Sequence, residues 1–96
     1  MVNKDRVKNE LIEKLNNILK SYGEPYNVDS ISIMNTSESV IFLGNLRVFN
    51  KMKVRRIMED IERSLDSYGK LSLRKRSVVP CCTLPYTQVS FNIAID

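Results

Sequence analysis

Basic side chains concentrate in the second half of the chain, and the chemistry that they offer most directly is the binding of phosphate groups. Residues 1–46 carry five basic and six acidic side chains, whereas residues 47–96 carry ten basic and five acidic ones. Clustering of this kind favours a polyanionic partner, most often nucleic acid. The candidate nucleic-acid-binding residues are Arg47, Lys51, Lys53, Arg55, Arg56, Arg74, Lys75 and Arg76.

The first basic cluster opens a predicted helix whose charges oppose the helix dipole. Basic residues fill the turns from Lys51 to Arg56, and acidic ones follow from Glu59 to Asp66. A helix prefers the reverse order by roughly 0.3–1 kcal/mol per charge. An anion held at the helix N-terminus, such as a phosphate, would compensate for this arrangement. The alternative is that residues four apart form ion pairs along the helix surface, namely Arg55–Glu59, Arg56–Asp60 and Glu59–Arg63.

Residues with catalytic chemistry are few. The chain has no histidine, which removes the usual general base and the commonest metal ligand. Glu59, Asp60 and Glu62 are carboxylates that lie among arginines on a predicted helix surface. The adjacent Cys81 and Cys82 fit ordinary disulfide geometry poorly, so we expect free thiols. Because phosphate-loop and nucleophile motifs are also missing, the sequence predicts a protein that is not an enzyme and needs no cofactor or metal.

The totals indicate one small domain. Ninety-six residues with 43% hydrophobic side chains can form a modest core, and a dimer would add to the buried surface. The chain contains no run of about 18 apolar residues, so the sequence predicts no membrane span. Its first ten residues also lack the apolar centre of a secretory signal. We therefore expect a cytoplasmic protein without a membrane partner. Its richness in Ile, Lys, Asn and Ser is typical of an AT-rich genome, such as that of a virus or plasmid.

Two amphipathic helices are predicted from apolar residues at helical spacing. The first begins at Asn3 or Asp5 and ends at about Tyr22. The second is capped by Asn50 and ends at about Tyr68. Glycines follow both helices and are typical of helix C-termini. The apolar faces comprise Val7, Leu11, Ile12, Leu15, Ile18, Leu19 and Tyr22 in the first helix, and Val54, Ile57, Met58, Ile61, Leu65 and Tyr68 in the second.

Alternating apolar and polar residues predict four strands. The polar turn Asn35–Ser39 should join the first two into a hairpin, and the loop Pro80–Tyr86 should join the last two. Gly44 interrupts its strand and indicates either a bulge or a close backbone approach. Ile41 and Leu43 face away from the apolar side of the same strand, which suggests that this stretch is covered on both sides. The strands are predicted at Val28–Met34, Val40–Val48, Lys70–Val79 and Gln88–Asp96.

A repeat suggests how these elements combine. Leu11–Gly23 matches Ile57–Gly69 at a constant offset of 46, and both segments end in Ser-Tyr-Gly. Each helix precedes a predicted hairpin, so the chain divides into halves of about residues 3–48 and 49–96, either by duplication or by chance similarity of amphipathic helices. The predicted fold class is α+β, a two-layer sandwich in the order α-β-β-α-β-β with both helices on one face of a mostly antiparallel sheet.

The positions of the basic residues favour contacts with the nucleic-acid backbone. Arg74 and Arg76 project from the same side of their strand, about 7 Å apart. If the start of the second helix lies near the third strand, the two basic clusters share one edge. Because no aromatic residue is interleaved in the clusters, a duplex backbone is favoured over single strands that bind by base stacking.

From Gly44 onward the chain resembles the Alba family of small archaeal DNA- and RNA-binding proteins. The resemblance rests on VFNKMKVRRIMEDIERSL, then LSLRKRSVV, a hairpin loop and QVSFNIAID, and it covers about half of the chain. It implies a homodimer whose basic residues, here Lys51, Lys53, Arg74 and Arg76, face the duplex backbone while the tip Pro80–Pro85 reaches along a groove. The family opens with a strand and a basic segment, whereas this chain opens with its helix and follows it with a hairpin.

Two functional hypotheses follow from the sequence. The first is a non-enzymatic nucleic-acid-binding protein, acting as a homodimer through the phosphate backbone. The alternative is a protein–protein interaction module or structural assembly subunit, favoured by the apolar loop Pro80–Tyr86 and by an unprotected edge expected at Gln88–Asp96. Binding that weakens steeply with salt would distinguish the first hypothesis from the second.

Overall fold

The structure, a computed structural model, describes residues 3–25, 28, 31–82 and 84–95. Two helices and four strands follow one another in the predicted order α-β-β-α-β-β, which confirms the α+β class. Neither α-helix of this described part is long and apolar enough to cross a membrane. The elements are α1 (Lys4–Ser21), β1 (Ser32–Asn35), β2 (Val40–Val48), α2 (Val54–Leu65), β3 (Lys70–Val78) and β4 (Tyr86–Ile95).

Helix α1 is capped at both ends by residues that the sequence indicated. Of the two predicted N-caps, Asn3 is the one that acts: its side-chain oxygen accepts a hydrogen bond from the Arg6 backbone N–H at 3.1 Å. Tyr22 is the C-terminal capping residue. Gly23 then adopts a φ of +74°, a left-handed conformation that suits glycine and ends the helix.

Helix α2 begins and ends in tighter turns than predicted. Asn50 is the cap, and its side-chain oxygen accepts a hydrogen bond from the Met52 N–H at 3.0 Å. A 3₁₀ turn at Lys51–Lys53 leads into the α-helix, and a second one at Asp66–Tyr68 follows it. After its cap Asn50, the predicted span is therefore helical from Lys51 to Tyr68, with a regular α-helix only in its middle.

The four strands form one antiparallel sheet in the order β1-β2-β4-β3. Strand β4 pairs with β2 along one side and with β3 along the other. The expectation of an unprotected edge at Gln88–Asp96 is therefore wrong, since both backbone edges of β4 are hydrogen-bonded. The sheet edges are the short β1 and the basic β3, whose charged side chains disfavour pairing with another strand.

Four strand boundaries differ from the predictions, and one of them is the end of β3, which lies at Val78 instead of Val79. Strand β1 covers Ser32–Asn35, so it begins later than predicted. It also includes Asn35, which was assigned to the turn. Val28 lies outside this strand, where the Asn16 side-chain amide donates to its carbonyl at 3.2 Å and accepts from its N–H at 2.6 Å. Positions 29 and 30 of the first predicted strand, and position 96 of the last one, lie outside the described residues. Strand β4 begins at Tyr86, two residues before the predicted start.

One core joins both helices to one face of the sheet. The fully buried members include Leu15 of α1, Ile61 of α2 and Phe42 of β2. Gly44 lies on this inner face, and the register between β2 and β4 runs through it without a bulge. A Cβ atom at Gly44 would lie 3.0 Å from two ring carbons of Phe91. Of the two predicted roles for this glycine, close approach is the one that the fold uses.

The opposite face of the sheet, called here the outer face, carries the alternate side chains. Ile41 and Leu43 lie on it, are only partly buried and do not belong to the core. Within the described residues, the expectation that this stretch is covered on both sides is not met, because both helices pack on the inner face. Met34, with 49% of its surface exposed, extends the same apolar end of the outer face.

The offset of 46 extends beyond the two helices. It also relates the nine residues of β2 to the first nine of β4, which pair antiparallel with each other. The midpoint of this relation lies between the pairs Gly44–Phe91 and Asn45–Ser90. This geometry is what two similar halves related by a two-fold axis would give, and the duplication itself stays a prediction.

Candidate functional site

Three of the predicted basic residues lie on the outer face of the sheet. Arg47 belongs to β2, whereas Arg74 and Arg76 belong to the edge strand β3, and all three are exposed. The polar central strand β4 lies between them. Cross-strand pairing arranges the side chains in two adjacent rows, Arg47–Gln88–Arg76 and Asn45–Ser90–Arg74.

Hydrogen bonds within these rows order the side chains. Arg76 Nη2 donates to Gln88 Oε1 at 3.1 Å, and Ser90 Oγ donates to Asn45 Oδ1 at 2.7 Å. With strands about 4.8 Å apart, Arg47 and Arg76 stand roughly 10 Å from each other across β4. The result is a polar central column with guanidinium groups on both sides.

Lys75 alternates toward the other face of β3 but stays exposed, because its strand is the edge of the sheet. It borders the same shallow depression as Arg74 and Arg76, together with Gln88 and Ser90. All three consecutive basic residues of β3 therefore border one depression.

Aromatic rings flank the outer-face arginines, which sequence reasoning missed. Tyr86 begins β4, and its ring lies 5.1 Å from the guanidinium carbon of Arg47. The Phe49 ring lies 5.5 Å from the same Tyr86 ring at a tilt of 46°. The signal was the alternation of β4: continued back by two residues, it places Tyr86 on the same face as Gln88 and Ser90.

The basic residues at the start of α2, called here the helix-start cluster, are Lys51, Lys53, Arg55 and Arg56. Two of them have partners within the protein. Lys53 Nζ donates to the Tyr22 carbonyl at 3.2 Å, and Arg55 Nε lies 3.3 Å from Glu59 Oε1. The surface ion pair Arg55–Glu59 is thus confirmed.

The other two ion pairs predicted along α2 do not form. Arg63 pairs with Asp60, one turn before it, instead of with Glu59. Asp60 also accepts a hydrogen bond from the Tyr22 hydroxyl at 2.5 Å, so its carboxylate faces α1 and Arg63 instead of Arg56. Contact with a residue distant in the sequence decides this choice, which helical spacing alone does not show.

A carboxylate of the protein itself lies at the entry to the second helix. Glu24 is largely buried, and its Oε1 accepts a hydrogen bond from the Phe49 N–H at 2.6 Å. Its Oε2 lies 3.4 Å from the Asn50 N–H. Part of the role that the sequence assigned to a bound phosphate, an anion near this helix start, is therefore filled by Glu24. No local pattern singled out this residue, because its partners lie 25 and 26 residues away.

The two basic clusters share one end of the sheet but not one face. Strands β2 and β3 end there, β4 begins there, and the helix-start cluster follows directly after β2. The outer-face arginines lie on the side opposite the helices. The single basic edge expected from the sequence is instead a pair of patches that meet around this end.

Two carboxylates, Asp60 of α2 and Glu10 of α1, are engaged in contacts between the helices. The hydrogen bond to Asp60 raises the pKa of Tyr22 above its ordinary value. Burial, together with a 2.9 Å hydrogen bond to Glu10, raises the pKa of Tyr68, and the same bond lowers the pKa of Glu10. These carboxylates therefore serve the packing of α1 on α2.

Cys81 and Cys82 are exposed free thiols, as expected, with their sulfur atoms 3.2 Å apart in the loop between β3 and β4. In the described part of the chain, no three His, Cys, Asp or Glu side chains gather in a group that could hold a metal ion. The candidate functional site is therefore the end of the sheet that carries Arg47, Arg76 and Tyr86.

Comparison of the chain with protein-family models, with curated proteins and with solved structures finds no match. The resemblance to the Alba family stays a prediction.

Proposed function

We propose that this protein binds nucleic acid without catalysing a reaction, and that the outer-face arginines contact the phosphate backbone. The observation that carries the proposal is the placement of Arg47, Arg74 and Arg76 on one exposed face, around a polar column of β4. Guanidinium groups bind phosphates through charge-assisted hydrogen bonds. Such contacts bind and orient nucleic acid without reading its sequence.

The helix-start cluster has a secondary role in this proposal. Lys53 and Arg55 already contact groups of the protein, so their binding to phosphate would compete with those contacts. Lys51 and Arg56 are exposed beside them and extend the basic surface around the end of the sheet. They would add long-range attraction more than ordered contacts.

Reversing two charges on β3 tests the proposal. We expect the double variant Arg74→Glu and Arg76→Glu to lower the affinity for labelled DNA or RNA at least about 100-fold, since two attractive contacts become repulsive. Fluorescence anisotropy at low salt measures the affinity. The matched control is Lys4→Glu with Lys8→Glu, which changes the net charge equally but on α1, at the opposite face of the sheet. Equal losses in the two double variants would contradict a defined site.

A second candidate function is a protein–protein interaction module or homo-oligomeric assembly subunit. It is favoured by the loop between β3 and β4, where Val79 and Leu84 are 79% and 73% exposed. Apolar side chains that do not pack on their own domain are typical of interaction surfaces. This candidate differs in its salt dependence, because hydrophobic association would persist at a salt concentration that releases nucleic acid. A homodimer is compatible with both functions.

A further inference from the structure

The basic end of the outer face has an aromatic platform as well as positive charge. The Tyr86 ring is in contact with the Arg47 guanidinium and with the Phe49 ring. Outward from the ring, Gln88 and Ser90 follow along β4 at intervals of about 7 Å. An aromatic ring at the end of a polar column, with arginines on both sides, is more than a phosphate backbone alone requires.

The contact between Arg47 and Tyr86 is of a kind that a nucleobase can replace. A guanidinium group 5.1 Å from the ring is held by a cation–π interaction, which contributes little at an exposed site. A base presents a flat π surface that stacks on tyrosine or on the guanidinium plane itself. Displaced from the ring, Arg47 would still be close enough to reach the phosphate attached to that nucleotide.

We propose that this end of the outer face binds single-stranded nucleic acid, with one base stacked at Tyr86 and the neighbouring phosphates held by Arg76 and Arg74. This inference rests on the proposed function and specifies its ligand. The faces of bases inside a duplex are covered by their neighbours, so away from the duplex ends a ring on a sheet surface can stack only on an unpaired base. The inference therefore reverses the preference for a duplex backbone that the sequence indicated.

The polar column of β4 suits this ligand in a second way. Gln88 and Ser90 lie between Arg47 on one neighbouring strand and Arg74 and Arg76 on the other. A strand that crosses this face can direct its phosphates toward the arginines and its base edges toward the amide and hydroxyl groups. Amide and hydroxyl groups donate and accept hydrogen bonds, so they can contact any base.

Variants of Tyr86 test the inference. The probes are labelled single-stranded RNA and DNA of about 12 nucleotides, a length within the range that small single-strand-binding folds cover, and a duplex of the same length. The wild type should bind the single strands more tightly than the duplex at the same salt concentration. Tyr86→Val, which replaces the ring with another residue that favours strands, should lower single-strand affinity about tenfold or more through loss of stacking. Affinity for the duplex should stay the same.

Tyr86→Phe is the matched control because it keeps the ring, and it should retain single-strand affinity. A 2-aminopurine base in the probe should lose fluorescence on binding to the wild type and to Tyr86→Phe, but less on binding to Tyr86→Val. Circular dichroism of each variant checks that the fold is intact. The DNA and RNA arms show whether the ribose hydroxyl contributes, and single-strand preference in either arm supports the inference.

The failures of the two proposals look different. If the wild type binds the duplex as tightly as the single strands and Tyr86→Val binds like the wild type, stacking is overturned while backbone binding stands. If the wild type binds none of the probes at low salt, the proposed function fails and the inference fails with it.

Discussion

Glu24 is a buried acidic residue at the junction between the two basic patches of the candidate surface. Its carboxylate accepts hydrogen bonds from the backbone N–H groups of Phe49 and Asn50, at the point where the chain leaves β2 and enters the second helix. On one side of this point lies Arg47 with the aromatic contact, and on the other lies the helix-start cluster. A buried carboxylate thus holds the segment that connects the two basic patches.

Replacing Glu24 should destabilise the protein. In Glu24→Ala the N–H groups of Phe49 and Asn50 lose a charged acceptor, which costs about 1–3 kcal/mol when the groups are left unsatisfied. Urea denaturation, followed by circular dichroism, measures the free energy of unfolding. Glu38→Ala is the control, since Glu38 is exposed in the turn between β1 and β2. A loss below about 0.5 kcal/mol, as is usual at surface positions, would contradict the role of Glu24.

At the scale of secondary-structure elements, the two helices are linked by reciprocal tyrosine contacts. Tyr22 at the end of α1 donates to Asp60 of α2, and Tyr68 after α2 donates to Glu10 of α1. Lys14 lies 5.2 Å from the Tyr68 ring centre and Arg6 pairs with Glu10 at 3.3 Å, so both charges face the same contact. The Ser-Tyr-Gly repeat in the sequence marks these two contacts.

These contacts predict how stability depends on pH. The pKa of Tyr68 is raised above 10.0, so its stabilising contribution is complete below that pH and is lost as the pH rises through the folded-state pKa. The pKa of Glu10 is lowered below 4.5, so its contribution is present above that pH and is lost as the pH falls through the folded-state pKa. Tyr68→Phe should therefore flatten the stability profile at both extremes.

Urea midpoints measured across the pH range check this prediction. The control is Tyr86→Phe, which removes a hydroxyl group from the sheet instead of from the helix pair and should keep the profile of the wild type. A Tyr68→Phe profile that matches the wild type at both extremes would show that the bond between Tyr68 and Glu10 does not contribute.

Local patterns were sufficient to predict the elements but not their arrangement. Helical spacing from Leu11 to Leu19 and the alternation of Val89, Phe91 and Ile93 predicted a helix and a strand that the structure contains. The central position of β4 was missed, because strand order depends on contacts between segments far apart in the chain. For the same reason the burial of Glu24 was not predictable, since its backbone partners Phe49 and Asn50 come after the hairpin of β1 and β2.

The candidate site was predicted in part. The cluster from Arg74 to Arg76 was identified from its charges, and it lies on one exposed strand as expected. The contacts of Tyr86 with Arg47 and Phe49 were not, because Tyr86 is distant from both in sequence and only the pairing of β4 with β2 brings them together. Arg55 was included among the candidate binding residues of the helix-start cluster because of its charge, although it forms an ion pair with Glu59 on the helix surface.

At the scale of the whole molecule, charge and packing are divided between the two faces of the sheet. The inner face holds both helices and the apolar core, whereas the outer face is apolar near Met34 and Ile41 and basic near Arg47 and Arg76. The arginines of the outer face are thus gathered at one end of it instead of being spread along the sheet. A field of this kind attracts polyanions and orients them on approach.

The most direct test of nucleic-acid binding is the affinity of the wild type for a labelled single strand over a salt series. Three outer-face arginines that each neutralise a phosphate should give a slope of about −2 in a plot of log affinity against log salt. A linear plot with at least this slope would support backbone binding and count the contacts. No binding to DNA or RNA at low salt, or an affinity that does not change with salt, would contradict it and favour a hydrophobic assembly through the exposed loop.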